Sequence, residues 1–269
     1  MFSNPIGIKS FEERLHKKPM FFNPYNFGGG SAANMDDTGL LAYYTFEEAS
    51  GTIENKSQSG DSVGTAGDGT VTGATYGATG ILGDCLSYDG TNDKCTFGST
   101  LSTFNNFQSS TAKFTIIMWL KPTSTANNDI ILDQSNFTSA NKGASMRFEG
   151  TSGAMLFSVF NTNNTICSTG LTTLTAGAGS WHMIAVTYDY SLGSANLKFS
   201  VDDSTRETDD TINAGTDSNP SGNLTIGEAY AGNDNPYDGL IDEFSIWNRV
   251  LTDAEITTLY NSGSGFSIY

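Results

Sequence analysis

The sequence contains only three cysteines and two histidines, which argues against sites that depend on these residues. Cys85, Cys95 and Cys167 cannot form a closed set of disulfides. With no Cys-x-x-Cys pair and so few histidines, a structural zinc site is not expected. Cys85 and Cys95 flank a turn predicted at residues 89–93. They are therefore either bridged across that turn or small residues of the core.

Long apolar runs and a surplus of positive charge are also missing. No uninterrupted apolar stretch approaches the roughly 18 residues that a membrane span needs. The chain has 13 Lys and Arg against 29 Asp and Glu, a net charge of −16. Such a surface repels nucleic acid backbones, so we expect no DNA or RNA partner. The acidic side chains either keep the protein soluble or hold divalent cations.

The N-terminus lacks the charged start and apolar stretch of a secretory signal. The sequence is then either a mature fragment or a protein that leaves its cell by another route. Release in a virus or phage particle on lysis is one such route. We therefore expect a location on a virion surface or outside the cell.

The abundant residue types of the sequence predict an all-β fold. Thirty glycines and short apolar runs broken by turns are typical of strands, and 17 Phe and 11 Tyr suffice for a two-sheet core. Strands are predicted near residues 39–46, 85–88, 94–97, 114–121, 129–133, 144–149, 154–160, 181–188, 196–201, 223–227 and 239–247. Pro122 should end its strand. The single helix, residues 252–261, begins with a capping box of Thr252 and Glu255, and Gly263 can close it.

Strict alternation along the last strand puts Asp242 among apolar neighbours. It predicts one face with Leu240, Asp242, Phe244 and Ile246, and the opposite face with Ile241, Glu243, Ser245 and Trp247. A carboxylate on the first face must be neutralised, hydrogen-bonded or bound to a metal. Asp242 and Glu243 are expected to point to opposite faces.

An ordered set of motifs resembles the laminin-G-like and concanavalin-A-like lectin/glucanase superfamily, over roughly residues 39–263. These motifs are GLLAYYTFEE at residues 39–48, DGTV at 68–71, CLSYDGTND at 85–93, FTIIMWLKP at 114–122, WHMIAVTYD at 181–189 and DGLIDEFSIWNRVL at 238–251. The resemblance implies an antiparallel jelly-roll β-sandwich. It also implies binding more readily than chemistry.

The resemblance further implies a structural calcium ion near Asp242. Many members of the superfamily join the last strand to the loop after the first strand through calcium. The matching turn here, residues 54–60, offers Asn55 and Ser57 as ligands. Asn55 stands where an aspartate is more usual, which removes a charge and weakens calcium binding. The alternative is that Asp242 accepts hydrogen bonds from backbone amides of this same turn.

Candidate ligand-binding residues lie in the polar loop before the last strand. Tyr230 and Tyr237 can stack on a sugar, and Asn233 and Asp234 can bind its hydroxyl groups. Trp119, Trp181 and Trp247 lie in apolar strands and are assigned to the core. Glucanases of the superfamily carry Glu-x-Asp-x-x-Glu on one strand; only Asp242 and Glu243 resemble it. Since these are expected on opposite faces, we predict no enzymatic activity.

Residues 1–35 differ from the rest and are predicted to form an N-terminal extended arm, followed by a jelly-roll domain over residues 36–269. The arm carries a net charge of +2 and four aromatic residues, Phe21, Phe22, Tyr25 and Phe27, before a glycine-rich link. Such a segment either docks on a partner or folds back on the sandwich as a strap.

Together these features predict a non-catalytic lectin-like protein on the surface of a virion. It would be a capsid decoration, fibre or adhesion protein that binds a glycan or host surface through the sandwich. Its arm would attach to capsid or other particle proteins, and a homo-oligomer is left open. A structural particle protein without sugar binding and a degenerate glycan-active enzyme are the alternatives.

Overall fold

A computed structural model describes residues 35–107, 112–125, 129–135, 143–149, 153–160, 165–169, 179–192, 194–204, 207–209, 220, 222–230 and 235–269. The predicted arm with its four aromatic residues lies outside these ranges, and so do Asn233 and Asp234.

The described residues form two antiparallel sheets of eight strands, numbered along the chain. The first sheet contains β1 (Leu40–Tyr44), β4 (Thr75–Thr79), β5 (Asp84–Asp89), β7 (Lys113–Pro122), β12 (His182–Asp189), β13 (Leu197–Val201), β14 (Glu207–Asp209) and β16 (Asp238–Trp247). The second sheet contains β2 (Thr52–Ile53), β3 (Gly69–Thr72), β6 (Lys94–Phe97), β8 (Ile130–Asp133), β9 (Gly143–Glu149), β10 (Ala154–Phe160), β11 (Thr165–Thr169) and β15 (Leu224–Ile226).

The strand order places the last strand at the centre of the first sheet. That order is β14-β13-β12-β7-β16-β5-β4, and β1 also pairs with β16. The second sheet runs β11-β10-β9-β8-β15-β6-β3-β2. The predicted all-β antiparallel sandwich with one short C-terminal helix is confirmed, and Pro122 does end its strand. The sequence pattern missed β2, β3, β4, β11 and β14.

The inner core lies between the two sheets. Along β7 the buried side chains of Ile116, Met118 and Leu120 point into it. Tyr44 of the first sheet packs on Phe97 of the second, with ring centroids 4.4 Å apart. Burying each such side chain stabilises the fold by roughly 1.5–3 kcal/mol, so this layer holds the two sheets together.

A second buried layer, the outer cluster, covers the opposite face of the first sheet. It consists of Met35, Leu40, Tyr43, Ile117, Trp119, Met183, Ala185, Trp247, Leu251, Ile256, Leu259 and Ile268. Trp119 and Trp247 are buried as predicted, but in this cluster rather than between the sheets. Trp181 is only half-buried against it.

The helix α1 (Asp253–Tyr260) covers the outer cluster. Its predicted capping box is confirmed: the Thr252 side chain accepts from the Glu255 amide, and the Glu255 side chain accepts from the Thr252 amide. The helix ends at Asn261, which has the left-handed φ of 47°. Asn261 therefore takes the terminating position predicted for Gly263, since asparagine tolerates this conformation.

Both ends of the described domain meet beside this helix. Arg249 donates from Nε to the carbonyl of Thr38 (2.6 Å) and pairs with Glu255. The hydroxyl of Tyr269 donates to Asp37 at 2.8 Å. Residues 36–38 are thereby tied to the last strand, the helix and the C-terminal tail.

The turn at residues 89–93 connects the two sheets. Its Thr91 amide donates to Asp89 Oδ1 at 2.9 Å, as expected of a turn. The sequence suggested a hairpin, but β5 pairs with β4 and β16 whereas β6 pairs with β3 and β15. Cys85 and Cys95 consequently lie in different sheets. Both are free and buried, which confirms their interpretation as small core residues.

No helix among the described residues combines the length and apolar character required to cross a membrane.

Candidate functional site

The centre of β16 contains a β-bulge that changes which side chains face the core. Asp242 pairs with Trp119, and the next paired residue, Ser245, lies opposite Ile117. Two residues of β16, Glu243 and Phe244, therefore oppose one residue of β7. Glu243 adopts the left-handed φ of 49°, which is uncommon for a residue other than glycine.

This bulge places both carboxylates on the outer side of the first sheet. Ile241 and Phe244 both enter the inner core, although strict alternation put them on opposite faces. Asp242 and Glu243 lie side by side beneath the outer cluster. The prediction that they point to opposite faces is wrong, because the extra residue breaks the two-residue period.

Asp242 is completely buried and accepts three backbone hydrogen bonds. Its Oδ2 accepts from the amides of Ile81 (2.9 Å) and Leu82 (3.2 Å), and its Oδ1 accepts from the Glu243 amide (2.8 Å). A side chain at Gly80 would come within 2.3 Å of Oδ2, so glycine allows the close approach. Backbone amides were the expected alternative to a metal, but they come from residues 81–82 rather than 54–60.

Glu243 is bound by the phenol of Tyr43, whose hydroxyl donates to Glu243 Oε2. The C-terminal tail covers this pair, and the Ile268 amide donates to the same phenol oxygen at 3.4 Å. A small cavity of about 10 Å³ lies here, lined by Tyr43, Ile117, Trp119, Glu243, Ser245, Leu259, Phe266 and Ile268. That volume is close to the minimum for one water molecule.

Burial raises the pKa of both carboxyl groups. The pKa of Asp242 rises to about 7, because desolvation outweighs its three amide donors. The pKa of Glu243 rises to about 8, through burial and then the negative charge of Asp242, against the lowering effect of the Tyr43 hydroxyl. The two groups titrate as a pair. Since Asp242 has more donors, it loses its proton before Glu243 as the pH rises.

The predicted calcium ligands use their oxygens within the protein. Asn55 Oδ1 accepts from the amides of Tyr43 and Ser57, both at 3.0 Å. Ser57 Oγ donates to the carbonyl of Leu40 at 2.8 Å. No cluster of three His, Cys, Asp or Glu suited to a metal occurs in the described ranges. These donors do not fit a shared cation as they stand, so calcium at Asp242 stays a prediction.

The predicted ligand loop is described only at its ends. Tyr230 is half-buried, its amide donates to Asp133 at 3.0 Å, and its ring lies against Gly222. Tyr237 is fully buried instead of lying on the loop surface, and its ring contacts those of Tyr88 and Phe148. A ring enclosed in this way has no open face for a sugar, because the chain already turns into the core before β16.

His182, at the start of β12, binds an acid. Its Nδ1 lies 2.6 Å from Asp202 Oδ2. The other oxygen of Asp202 accepts from the Met183 amide at 2.9 Å. Asp202 and Asp203 form the turn after β13, which sequence patterns did not single out.

The Laminin G 3 family model, described as "Concanavalin A-like lectin/glucanases superfamily", matches residues 89–257. No curated protein matches the chain.

Several solved structures are similar to the chain. Domain 4 of AbnA, an extracellular arabinanase from Geobacillus stearothermophilus in complex with arabinotriose, is 17% identical with a TM-score of 0.52; the match covers 84% of this chain and 98% of that one. The binding domain of botulinum neurotoxin DC in complex with SialylT is 16% identical with a TM-score of 0.58, covering 83% and 51%. The binding domain of Paraclostridial Mosquitocidal Protein 1 is 19% identical with a TM-score of 0.60, covering 84% and 52%. The chain spans about half the length of both toxin domains. At these identities the likeness shows the fold.

Proposed function

Since this chain belongs to the concanavalin A-like lectin/glucanase superfamily, as its ordered motifs predicted, we propose that it is a non-catalytic module that binds a glycan or another host-surface ligand. The main support is the shared sandwich fold of two similar domains solved with carbohydrate, one with arabinotriose and one with SialylT. The acidic charge agrees with this, because a glycan needs no basic binding surface.

The state of the paired acids supports the proposal that the protein does not cleave glycans. A retaining or inverting glycosidase needs two carboxyl groups that flank the scissile bond. Asp242 and Glu243 are adjacent, but they are 0% and 6% exposed beneath the helix and tail. Their oxygens are bound by three amides and a phenol. A polysaccharide has no path to them in this arrangement.

A glycan array with the full chain tests this function. We expect retention on a subset of immobilised glycans, with Kd values between about 1 μM and 1 mM, because a shallow site forms few contacts. The same preparation, incubated with a polysaccharide panel, should release no reducing ends. Release that disappears in Glu243→Gln would instead establish a glycan-active enzyme. An array without binding would support a purely structural protein.

We further propose that the module works on a particle surface as a capsid decoration, head fibre or tail adhesin. The proposal rests on the aromatic segment near the N-terminus, with Phe21, Phe22, Tyr25 and Phe27 followed by three glycines. An aromatic segment followed by a glycine-rich stretch suits attachment to capsid or other particle proteins. The proposed location is accordingly a virion surface or the extracellular space.

Deletion of residues 1–34 tests the arm and keeps Met35, which belongs to the outer cluster. We expect the truncated protein to keep the melting temperature of the full chain, since residues 35–269 contain both buried layers. It should no longer co-sediment with virus particles released from the producing cells. A full-length control with Ser at the four aromatic positions separates aromatic contacts from length. Equal co-sedimentation of the truncated and full chains would contradict the arm.

A further inference from the structure

Two of the aromatic side chains that pack against the outer cluster, Trp181 and Tyr260, are only half-buried. Trp181 precedes β12 and lies two residues before the buried Met183, on the same side of the strand. Tyr260 is the last residue of α1. Both pack against the outer cluster while part of each side chain stays accessible to solvent.

Tyr260 is held in a fixed orientation. Its ring stacks on Trp119 with centroids 5.9 Å apart and an interplanar angle of 9°. A ring fixed in this way loses little conformational freedom when a ligand packs on its accessible part. Aromatic side chains offer an apolar surface of the kind on which the CH groups of a pyranose or furanose can pack.

Two carboxylates lie next to these rings. Asp202 and Asp203 form the tight turn after β13, with left-handed φ values of 53° and 55°. The turn is fixed beside β12, because the Asp202 amide donates to the Met183 carbonyl at 2.9 Å and the Met183 amide donates to Asp202 Oδ1 at 2.9 Å. Both aspartates are close enough to Tyr260 to raise its pKa, after the larger effect of burial. Carboxylate oxygens accept hydrogen bonds from hydroxyl groups.

We propose that this patch of Trp181, Asp202, Asp203 and Tyr260 binds an uncharged saccharide. The inference rests on the proposed glycan-binding function and adds a location and a ligand class to it. The rings pack against the apolar face of one sugar unit, and the aspartates bind its hydroxyl groups. The patch is distinct from the loop at residues 230–237 that sequence patterns favoured.

Electrostatics decides between charged and uncharged glycans. The patch contains two carboxylates and belongs to a chain with a net charge of −16. A sialylated or sulfated glycan would place its own negative charge near Asp202 and Asp203, and repulsion would weaken binding. Of arabinotriose and SialylT, the ligands of the two complexes described above, arabinotriose is the type that this charge pattern allows.

The experiment is a titration of the full chain with uncharged oligosaccharides, beginning with arabinotriose, alongside sialylated ones. We expect saturable binding of an uncharged glycan. Its Kd should change little between 50 and 500 mM salt, because salt screens only contacts between charges. Over this range the Debye length falls roughly three-fold, so a charged contact would weaken. Tyr260→Ala, Trp181→Ala and Asp203→Asn should each weaken it by about tenfold, which is the loss of one stacking contact or charge-assisted hydrogen bond.

Two control variants match these changes. Tyr190→Ala removes an exposed aromatic at the other end of β12. Glu54→Gln removes one exposed negative charge. Both should bind like the wild type. Asp203→Asn keeps the turn, because asparagine tolerates the left-handed conformation; it therefore reports on binding even if an aromatic variant unfolds.

Three other outcomes of the titration would each contradict part of the proposal. Uncharged binding that Asp203→Asn and Tyr260→Ala leave unchanged would place the site elsewhere, with the glycan-binding function intact. Preference for the sialylated glycans would refute the ligand class. Absence of any binding would overturn both the patch and the function from which it follows.

Discussion

Replacing Asp242 by alanine should destabilise the protein by about 4 kcal/mol, a large loss for a single substitution. The substitution leaves the buried amides of Ile81, Leu82 and Glu243 without an acceptor. Each unsatisfied buried donor costs roughly 1–3 kcal/mol. For a domain of this size the melting temperature should fall by about 10 °C, because each kcal/mol corresponds to roughly 2–4 °C. Thermal unfolding followed by circular dichroism measures the change.

A surface aspartate near this region provides the control. Asp84→Ala removes an exposed carboxylate of β5 and should change stability by less than about 0.5 kcal/mol. The stability of Asp242→Asn should lie between those of the wild type and Asp242→Ala. Asparagine keeps one acceptor oxygen, but its NH₂ group would face a backbone amide donor. An Asp242→Ala protein that melts within 2 °C of wild type (at most ~1 kcal/mol) would show that the three hydrogen bonds contribute little.

The same thermal unfolding experiments test whether calcium binds at Asp242. With both Asp242 oxygens engaged by amides, we expect EDTA and added calcium to leave the wild-type melting temperature unchanged. A chelator effect present in the wild type and absent in Asp242→Ala would establish the ion that the family resemblance implies. Its stabilisation would then depend on calcium concentration, as expected of any ligand that binds the folded state alone.

Stability should decrease as pH rises from 5 to 9, and Glu243 should cause much of the decrease. The pKa of Glu243 is about 8 in the folded protein, above its ordinary value in an unfolded chain. The folded state therefore holds a proton that the unfolded state has lost. This stabilisation is complete below about pH 4 and disappears as pH approaches 8, at about 1.4 kcal/mol per pH unit. Asp242, with a pKa of about 7, acts in the same direction.

Glu243→Gln isolates this effect, since glutamine has the same shape and cannot ionise. Its carbonyl oxygen can still accept from the Tyr43 hydroxyl. Urea unfolding between pH 6 and 9 should give a flatter pH dependence for the variant than for the wild type. Most other carboxyl groups are already ionised in this window, so general acidic repulsion changes little. Identical slopes for the two proteins would mean that Glu243 does not bind a proton near neutral pH.

Most strands could be predicted because each combines apolar and β-branched residues between turn residues. The strand containing Trp119 and the one containing Phe157 were predicted within one residue at each end. Strands β3 and β4 were missed because threonine, glycine and alanine dominate them, a composition equally typical of loops. They gain order by pairing with β6 and β5, which is a tertiary contribution that local sequence does not contain.

The candidate site was harder to predict, since it depends on a bulge without a sequence signal. A glycine at position 243 would have suggested a left-handed residue, but the chain has a glutamate there. Asp242 was correctly singled out as an acid that needs partners. Its partners could not be identified, because the donor amides of Ile81 and Leu82 are about 160 residues away in the sequence. Whether Tyr237 is buried or exposed depends on where the chain enters β16. The patch at Trp181 and Tyr260 could not be predicted either, because it forms through contacts between segments that are distant in the sequence.

The contact between Asp37 and Tyr269 has a topological consequence. A unit in which residues at its two ends touch can be inserted into a surface loop of a host protein without pulling that loop apart. It can equally be rejoined head to tail and opened elsewhere. This sandwich could therefore be inserted into different host proteins during evolution. Only the residues at its two joined ends would be constrained by the host, and the rest of its surface could change in sequence.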